Sequence, residues 1–155
     1  MRHTVVSVLG GTGFIGRYVC EELFKRDVRV RVACRHPRQA YFLQPLASVG
    51  QFGAVRADVA KAESVRLAVK SASAVINLVG TFGGSMQATH VDGARNVAGA
   101  ARDAGAKSLV HISAIGADVS AASVYGRTKG EGEVAVRAAF PRATIIRPSL
   151  VFGPE

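Results

Sequence analysis

The chain has 155 residues, 48% of them hydrophobic and 20% charged, a balance that suits one globular domain and excludes a disordered chain. Its 17 glycines follow no period, which excludes collagen-like repeats, and no apolar run approaches the roughly 20 residues of a membrane span. The formal net charge of +9 admits nucleic acid, an anionic surface or a phosphate-bearing ligand as partner, and composition alone does not choose among them.

In chain order, the first apolar run, 4–9, reads as a strand and leads straight into Gly10, Gly11, Thr12, Gly13, Phe14, Ile15 and Gly16. A helix is expected over 14–26. Glycines at 10, 13 and 16 suit a phosphate-binding turn. The first permits the tight bend, the second lets backbone approach a pyrophosphate, and the third packs the helix on the strand. The helix start adds unpaired N–H groups and the positive end of its dipole. Gly10, Thr12, Gly13, Phe14, Ile15 and Gly16 are therefore cofactor-binding candidates. Residues 1–10 lack the apolar middle and cleavage site of a secretory signal, which points to an intracellular protein. Cys20 and Cys34 have no metal-ligand spacing and are too few for a disulfide scaffold, so they read as small apolar fillers and no metal site is expected.

The second strand, 28–34, alternates Val28, Val30 and Val32 with Arg29 and Arg31, which suggests one wetter face. It ends in Cys34, Arg35, His36, Pro37 and Arg38, and no carboxylate occurs between Asp27 and Asp58. An acidic residue at this point would accept from a ribose 2′-hydroxyl and favour NAD, whereas a guanidinium matches a 2′-phosphate through paired charge-assisted bonds. Arg35, assisted by Arg38, is expected to select NADP(H) over NAD(H); the alternative is that both are solvated loop charges. A helix over 38–49 and a strand over 51–57 come next. Asp58 and Val59 would sit at the adenine edge, with helix capping the alternative for Asp58. After a helix at 61–71, strand 74–79 ends in Leu78, Val79 and Gly80, where backbone can run beside the cofactor. The helix expected over 86–104 places Val91, Ala94, Ala98 and Ala101 on one buried stripe. A strand at 107–113, a helix at 123–140 and a strand at 144–147 complete the chain. Strict alternation of strand and helix, with several strands wholly apolar, predicts a doubly wound α/β domain with a parallel sheet of about six strands and helices on both faces.

Tyr125 and Lys129 lie four residues apart, on one face of the last helix. A free phenol titrates near pKa 10, and a nearby cation favours its ionised form, so the pair suits acid–base work on a carbonyl or alcohol. Lys129 can also hydrogen-bond a nicotinamide ribose.

Together, the glycine turn, Asp58-Val59, the stretch from Asn77 to Gly80, the helix around Gly93 and Asn96, His111-Ile112-Ser113, Tyr125 with Lys129, and Arg147-Pro148-Ser149 with Phe152-Gly153-Pro154 resemble the short-chain dehydrogenase/reductase superfamily on its extended, atypical side. The phrasing of His90-Val91-Asp92-Gly93, of 113–118 and of 147–155 is similar to one branch, often labelled NAD-dependent epimerase/dehydratase-like. That branch contains the accessory nucleotide-binding subunit of respiratory complex I and its bacterial relatives. The resemblance implies a Rossmann fold of strand order 3-2-1-4-5-6, with the cofactor across the carboxyl edge of the sheet and nicotinamide contacts from backbone at Pro148 to Val151. It also implies that tyrosine is the acid–base residue, that lysine lowers its pKa, and that a hydroxyl after strand five orients the substrate oxygen. Here that position falls on Ala114, with Ser113 one residue early, and the helix position that is often asparagine is His90.

Three functions are expected from this reading. The first is an NADP(H)-favouring oxidoreductase or epimerase-like enzyme in which Tyr125, Lys129 and Ser113 act on a small carbonyl or alcohol or a quinone-related substrate. The second is a non-catalytic NADPH-binding accessory subunit with respiratory-complex partners, cytoplasmic or peripheral at the inner membrane. The third, nucleic-acid binding, is disfavoured by scattered basic residues and few aromatics. A domain spanning 1–155 is expected to be the dinucleotide-binding part of a longer protein whose substrate-binding portion lies beyond it.

Overall fold

The computed structural model describes residues 4–154. Its elements are β1 (Val5–Leu9), α1 (Phe14–Lys25), β2 (Arg29–Cys34), a 3-10 segment (Pro37–Leu46), β3 (Phe52–Arg56), α2 (Ala62–Val69), β4 (Ala74–Asn77), a π-helical turn (Gln87–Asp92) continuing into α3 (Gly93–Asp103), β5 (Ser108–Ile112), α4 (Val124–Ala139) and β6 (Thr144–Ile146). The strands form one parallel six-stranded sheet in the order β3-β2-β1-β4-β5-β6. From β1 the chain first builds outward through β2 and β3, then crosses to the other side for β4. That reversal opens a crevice at the carboxyl ends of β1 and β4, where ligands of such sheets bind.

Each face of the sheet buries its own core. On one side Val6, Val8, Val30 and Val32 pack against Cys20 and Phe24 of α1 and Ala40 and Leu43 of the 3-10 segment. On the other, Leu9, Val75 and Leu109 meet Val65 and Val69 of α2, Val97 and Ala101 of α3, and Val136 and Phe140 at the end of α4. Covered on both faces, the inner strands carry near-continuous apolar runs.

Arg29 and Arg31 interrupt this run in β2; Arg29 is exposed at the strand's start, and the structure supplies the reason for Arg31. Its guanidinium donates to the carbonyls of Ala68 (2.9 Å) and Lys70 (2.7 Å), and the Ser7 hydroxyl also donates to Ala68 O (2.9 Å). These carbonyls end α2, where unpaired acceptors and the negative dipole end welcome a cation. The segment after β2 is 3-10 helix rather than α-helix. It begins at Pro37 and contains Pro45, which lacks the N–H that an α-helix would use there.

Candidate functional site

The crevice is a cleft of about 470 Å³ built from the carboxyl ends of the first four strands. Leu9, Gly10, Thr12 and Gly13 form its floor. Ala33, Cys34 and Arg35 come from the end of β2, Ala57, Asp58 and Val59 from the end of β3, and Leu78, Val79 and Gly80 from the end of β4. Gly10 has φ of 81°, and a Cβ there would lie 3.1 Å from the Leu78 carbonyl carbon, so the first glycine is required twice over. At Gly16 a Cβ would collide with the Gly10 carbonyl, which is how α1 comes to sit directly on the turn. Helix α1 starts at Gly13 with no side-chain cap and no acidic residue in its first turn. Its leading amides and dipole therefore remain free for an anion. Small residues, a free helix start and an exposed arginine fit the pyrophosphate and phosphates of a nicotinamide dinucleotide.

Arg35 lies on the cleft wall, whereas Arg38 lies outside it on the exposed side of the 3-10 segment. Asp58 takes part in a turn: Oδ1 accepts from Ala60 N (3.0 Å), while Ser64 Oγ both accepts from Asp58 N (3.0 Å) and donates to Asp58 O (2.9 Å). Asp58 lines the cleft but does not cap α2, whose N-cap is Lys61 with no side-chain cap bond; its carboxylate closes a local turn instead. Phe14 and Ile15 present only their backbone to the turn. Their side chains line a separate apolar groove of about 550 Å³ with Tyr18, Val151, Phe152 and Pro154. Val151 is therefore not brought into the cleft, and neither is Pro148, whose carbonyl accepts from Ile115 N (2.9 Å).

Tyr125 opens α4, where Ser123 caps the helix by accepting from Gly126 N (3.0 Å). Its ring lies flat against Phe82, with centroids 4.8 Å apart and planes 16° from parallel, and meets the His90 ring edge-on at 5.4 Å. One turn on, Lys129 is only 4% exposed, and its Nζ donates to Ile112 O (2.9 Å) at the end of β5. A Cβ on Gly80 would come within 3.9 Å of that Nζ, so the ammonium abuts the cleft's inner end. Burial draws the Lys129 ammonium down to about 8, partly opposed by the Glu133 carboxylate. Burial also raises the Tyr125 phenol above its ordinary value. The expected lowering of Tyr125 by Lys129 is thus absent: desolvation governs the phenol, and the ammonium is directed to a carbonyl.

Below this pair lies a buried polar layer that the sequence does not announce. His90 accepts from Thr81 N at Nε2 (3.0 Å) and bonds Thr128 Oγ1 through Nδ1 (2.9 Å). Asn77 bonds His111 Nδ1 (3.1 Å), with its Oδ1 turned to Val79 N (3.2 Å). Burial, reinforced by the Lys129 charge, depresses both histidines to about 4, so both are neutral near pH 7. Glu133 takes a two-pronged bond from Arg147 (2.8 and 2.7 Å). Burial works against its charge, but Arg147 prevails and holds the carboxyl below its usual range, with help from the Ser113 hydroxyl beside it. Ser113 Oγ is buried without a hydrogen bond of good geometry. It faces Glu133 and is not brought to Tyr125. Sequence reasoning named His90, at a position that is often asparagine, and His111, within the His111-Ile112-Ser113 stretch, but not their partners, and it missed Glu133 and Phe82, whose contacts with Arg147 and Tyr125 lie farther along the chain.

A family model described as NAD(P)H-binding matches residues 10–151. The mitochondrial NADH dehydrogenase (ubiquinone) 1 alpha subcomplex subunit 9 of Mus musculus is 35% identical over 156 residues, covering 97% of this chain and 41% of that protein. The ceramide reductase of Caulobacter vibrioides is 33% identical over 154 residues, covering 97% of this chain and 47% of the enzyme. This chain therefore spans less than half the length of either relative. Among solved structures, the Bordetella bronchiseptica enzyme WbmG in complex with NAD and UDP superposes with a TM-score of 0.79 at 21% identity, over 94% of this chain and 53% of that one, a likeness of fold.

Proposed function

The chain belongs to the NAD(P)H-binding family, on the extended, atypical side of the short-chain dehydrogenase/reductase superfamily, and from that premise we propose that it is an NADP(H)-dependent oxidoreductase-like protein acting on a carbonyl or alcohol. The observation that carries the reading is the cleft itself. It unites the glycine turn, Arg35, Asp58 with Val59, and Leu78 to Gly80, and the end of β2 contributes an arginine where an NAD-selective site would present a carboxylate. The turn amides hold the pyrophosphate, Arg35 takes the 2′-phosphate with Arg38 contributing field from outside the cleft, and Asp58 and Val59 flank the adenine. Lys129, beside Gly80, holds the nicotinamide ribose.

When bound, the cofactor supplies or accepts the hydride. Tyr125 gives a proton to the substrate oxygen in reduction and takes one in oxidation. Burial raises the phenol above its ordinary value, which favours the neutral form that donates this proton. Ser113 is left out of this pair, since its hydroxyl is sequestered beside Glu133.

A second reading is a fixed-ligand subunit, in which NADPH stabilises the fold without turnover and the partners are subunits of a respiratory complex. Phe82 lying against Tyr125 and the diverted Ser113 favour it. Among the described residues no helix is long and apolar enough to cross a membrane.

Titration of the purified protein with NADPH and NADH tests the common core. NADPH is expected to bind at least about tenfold more tightly, and Arg35→Ala to remove most of that difference through loss of a charge-assisted contact. Equal affinities would overturn the preference. Screening NADPH oxidation against carbonyl compounds, with Tyr125→Phe as the control, separates enzyme from subunit: turnover unaffected by Tyr125→Phe removes the residue's proposed role.

A further inference from the structure

We infer that His90 is a positioning residue: through Thr81 and Thr128 it fixes Tyr125 between its own ring and the ring of Phe82. The place of the imidazole proton is set by its partners. A backbone N–H only donates, so the bond from Thr81 N leaves His90 Nε2 bare and puts the ring proton on Nδ1. Nδ1–H then donates to Thr128 Oγ1, and the Thr128 hydroxyl in turn donates to the Tyr125 carbonyl at 3.2 Å. Three hydrogen bonds thus run in one direction from the loop after β4 to the first turn of α4, and the buried imidazole in the middle has both nitrogens committed. It is 2% exposed.

The consequence falls on the aromatic residues. Phe82 comes directly after Thr81, is 84% exposed, and sits on a turn that closes on itself through Thr81 Oγ1 and Gly83. Its position against Tyr125 therefore depends on Thr81, and Thr81 is anchored by His90. The His90 ring meets the same phenol ring at 90°. Tyr125 is gripped from two sides by one device, which holds its ring in a fixed orientation. Local backbone geometry serves the same end. His90 lies in the π-helical turn, and Gly132 in α4 brings helix backbone against the His90 carbonyl where any side chain would collide.

The functional importance of this grip rests on the reading of Tyr125 as proton donor, but testing it needs neither cofactor nor substrate. The chain has 3 tyrosines and no tryptophan, so ring resonances of Tyr125 are readily followed by NMR. His90→Phe keeps a ring in the space and removes both hydrogen bonds. The variant is expected to fold, to lose the through-space contact between the Phe82 and Tyr125 rings, and to titrate Tyr125 closer to the ordinary phenol value of about 10 as water reaches it. A folded His90→Phe protein with that contact and that titration unchanged overturns the proposal. Thr128→Val is the second arm, which is decisive should His90→Phe fail to fold. It keeps the imidazole and removes only the hydroxyl relay, and it is expected to redistribute the His90 proton between its nitrogens and weaken the same ring contact. An unaltered contact and proton distribution in Thr128→Val would overturn it equally. Failure of the wild-type protein to bind NADPH would remove the functional reading and leave these results standing.

Discussion

Two neutral imidazoles, His90 and His111, sit under the site at places where a charge is costly. Their folded values of about 4 lie below the ordinary 6.5, and the Lys129 ammonium opposes protonation of both, while Glu133 favours it only at His111. Between pH 6.5 and 4 the unfolded chain therefore binds more protons than the folded one. The stability these residues contribute is present above about pH 6.5 and is lost as pH falls towards 4. Melting temperature measured across that window should drop steadily, and His90→Phe or His111→Gln should each flatten the fall; identical slopes in all three proteins would remove the explanation. The positions of Arg35 at the end of β2 and of Tyr125 and Lys129 on α4 were legible from the sequence because they follow from local spacing. The histidines were not, because Thr81 and Thr128 flank His90 from 9 and 38 residues away, and Asn77 meets His111 across 34.

At the level of elements, two glycines predict opposite outcomes for the same substitution. Gly132 of α4 packs against the His90 carbonyl with no room for a Cβ, so Gly132→Ala should cost about 1–3 kcal/mol as the helices separate. Gly99 of α3 has nothing within 4 Å of such a Cβ. Gly99→Ala should stabilise by about 0.5–1 kcal/mol, since alanine relieves the entropic cost of glycine inside a helix. Urea unfolding of the two variants checks both signs. Helix positions were readable from periodicity to within a few residues, but their type was not. Neither the 3-10 segment, which contains Pro45, nor the π turn at Gln87–Asp92 is written in the apolar spacing. Strand β4 ends at Asn77, short of the expected 79, because the chain leaves its pairing with β5 there to line the cleft.

For the molecule as a whole, alternation of strand and helix was enough to announce the parallel sheet, and the family resemblance supplied its order. Gly10, Arg35, Asp58 and Gly80 were among the residues singled out in the sequence, and the register that brings their strand ends together at the crevice sets Leu9 beside both Ala33 and Asn77. The net charge of +9 acts on this scale too. A field of that sign attracts any dinucleotide, and the extra phosphate of NADPH feels it more. Raising ionic strength should therefore weaken NADPH binding more steeply than NADH binding, a difference that titrations in graded salt would reveal. Parallel slopes would assign the cofactor preference to something other than charge.

The π turn at Gln87–Asp92 holds one residue more than an α-helical turn would need to reach the same carbonyl partners. In terms of descent, it has the form of a single-codon insertion. Removing Ala88 would let the helix run on regularly, and each residue removed rotates the upstream chain by about 100° relative to the downstream helix. The protein would still have every side chain named above except that alanine, yet the approach to the cleft would meet the body of the helix in a different phase.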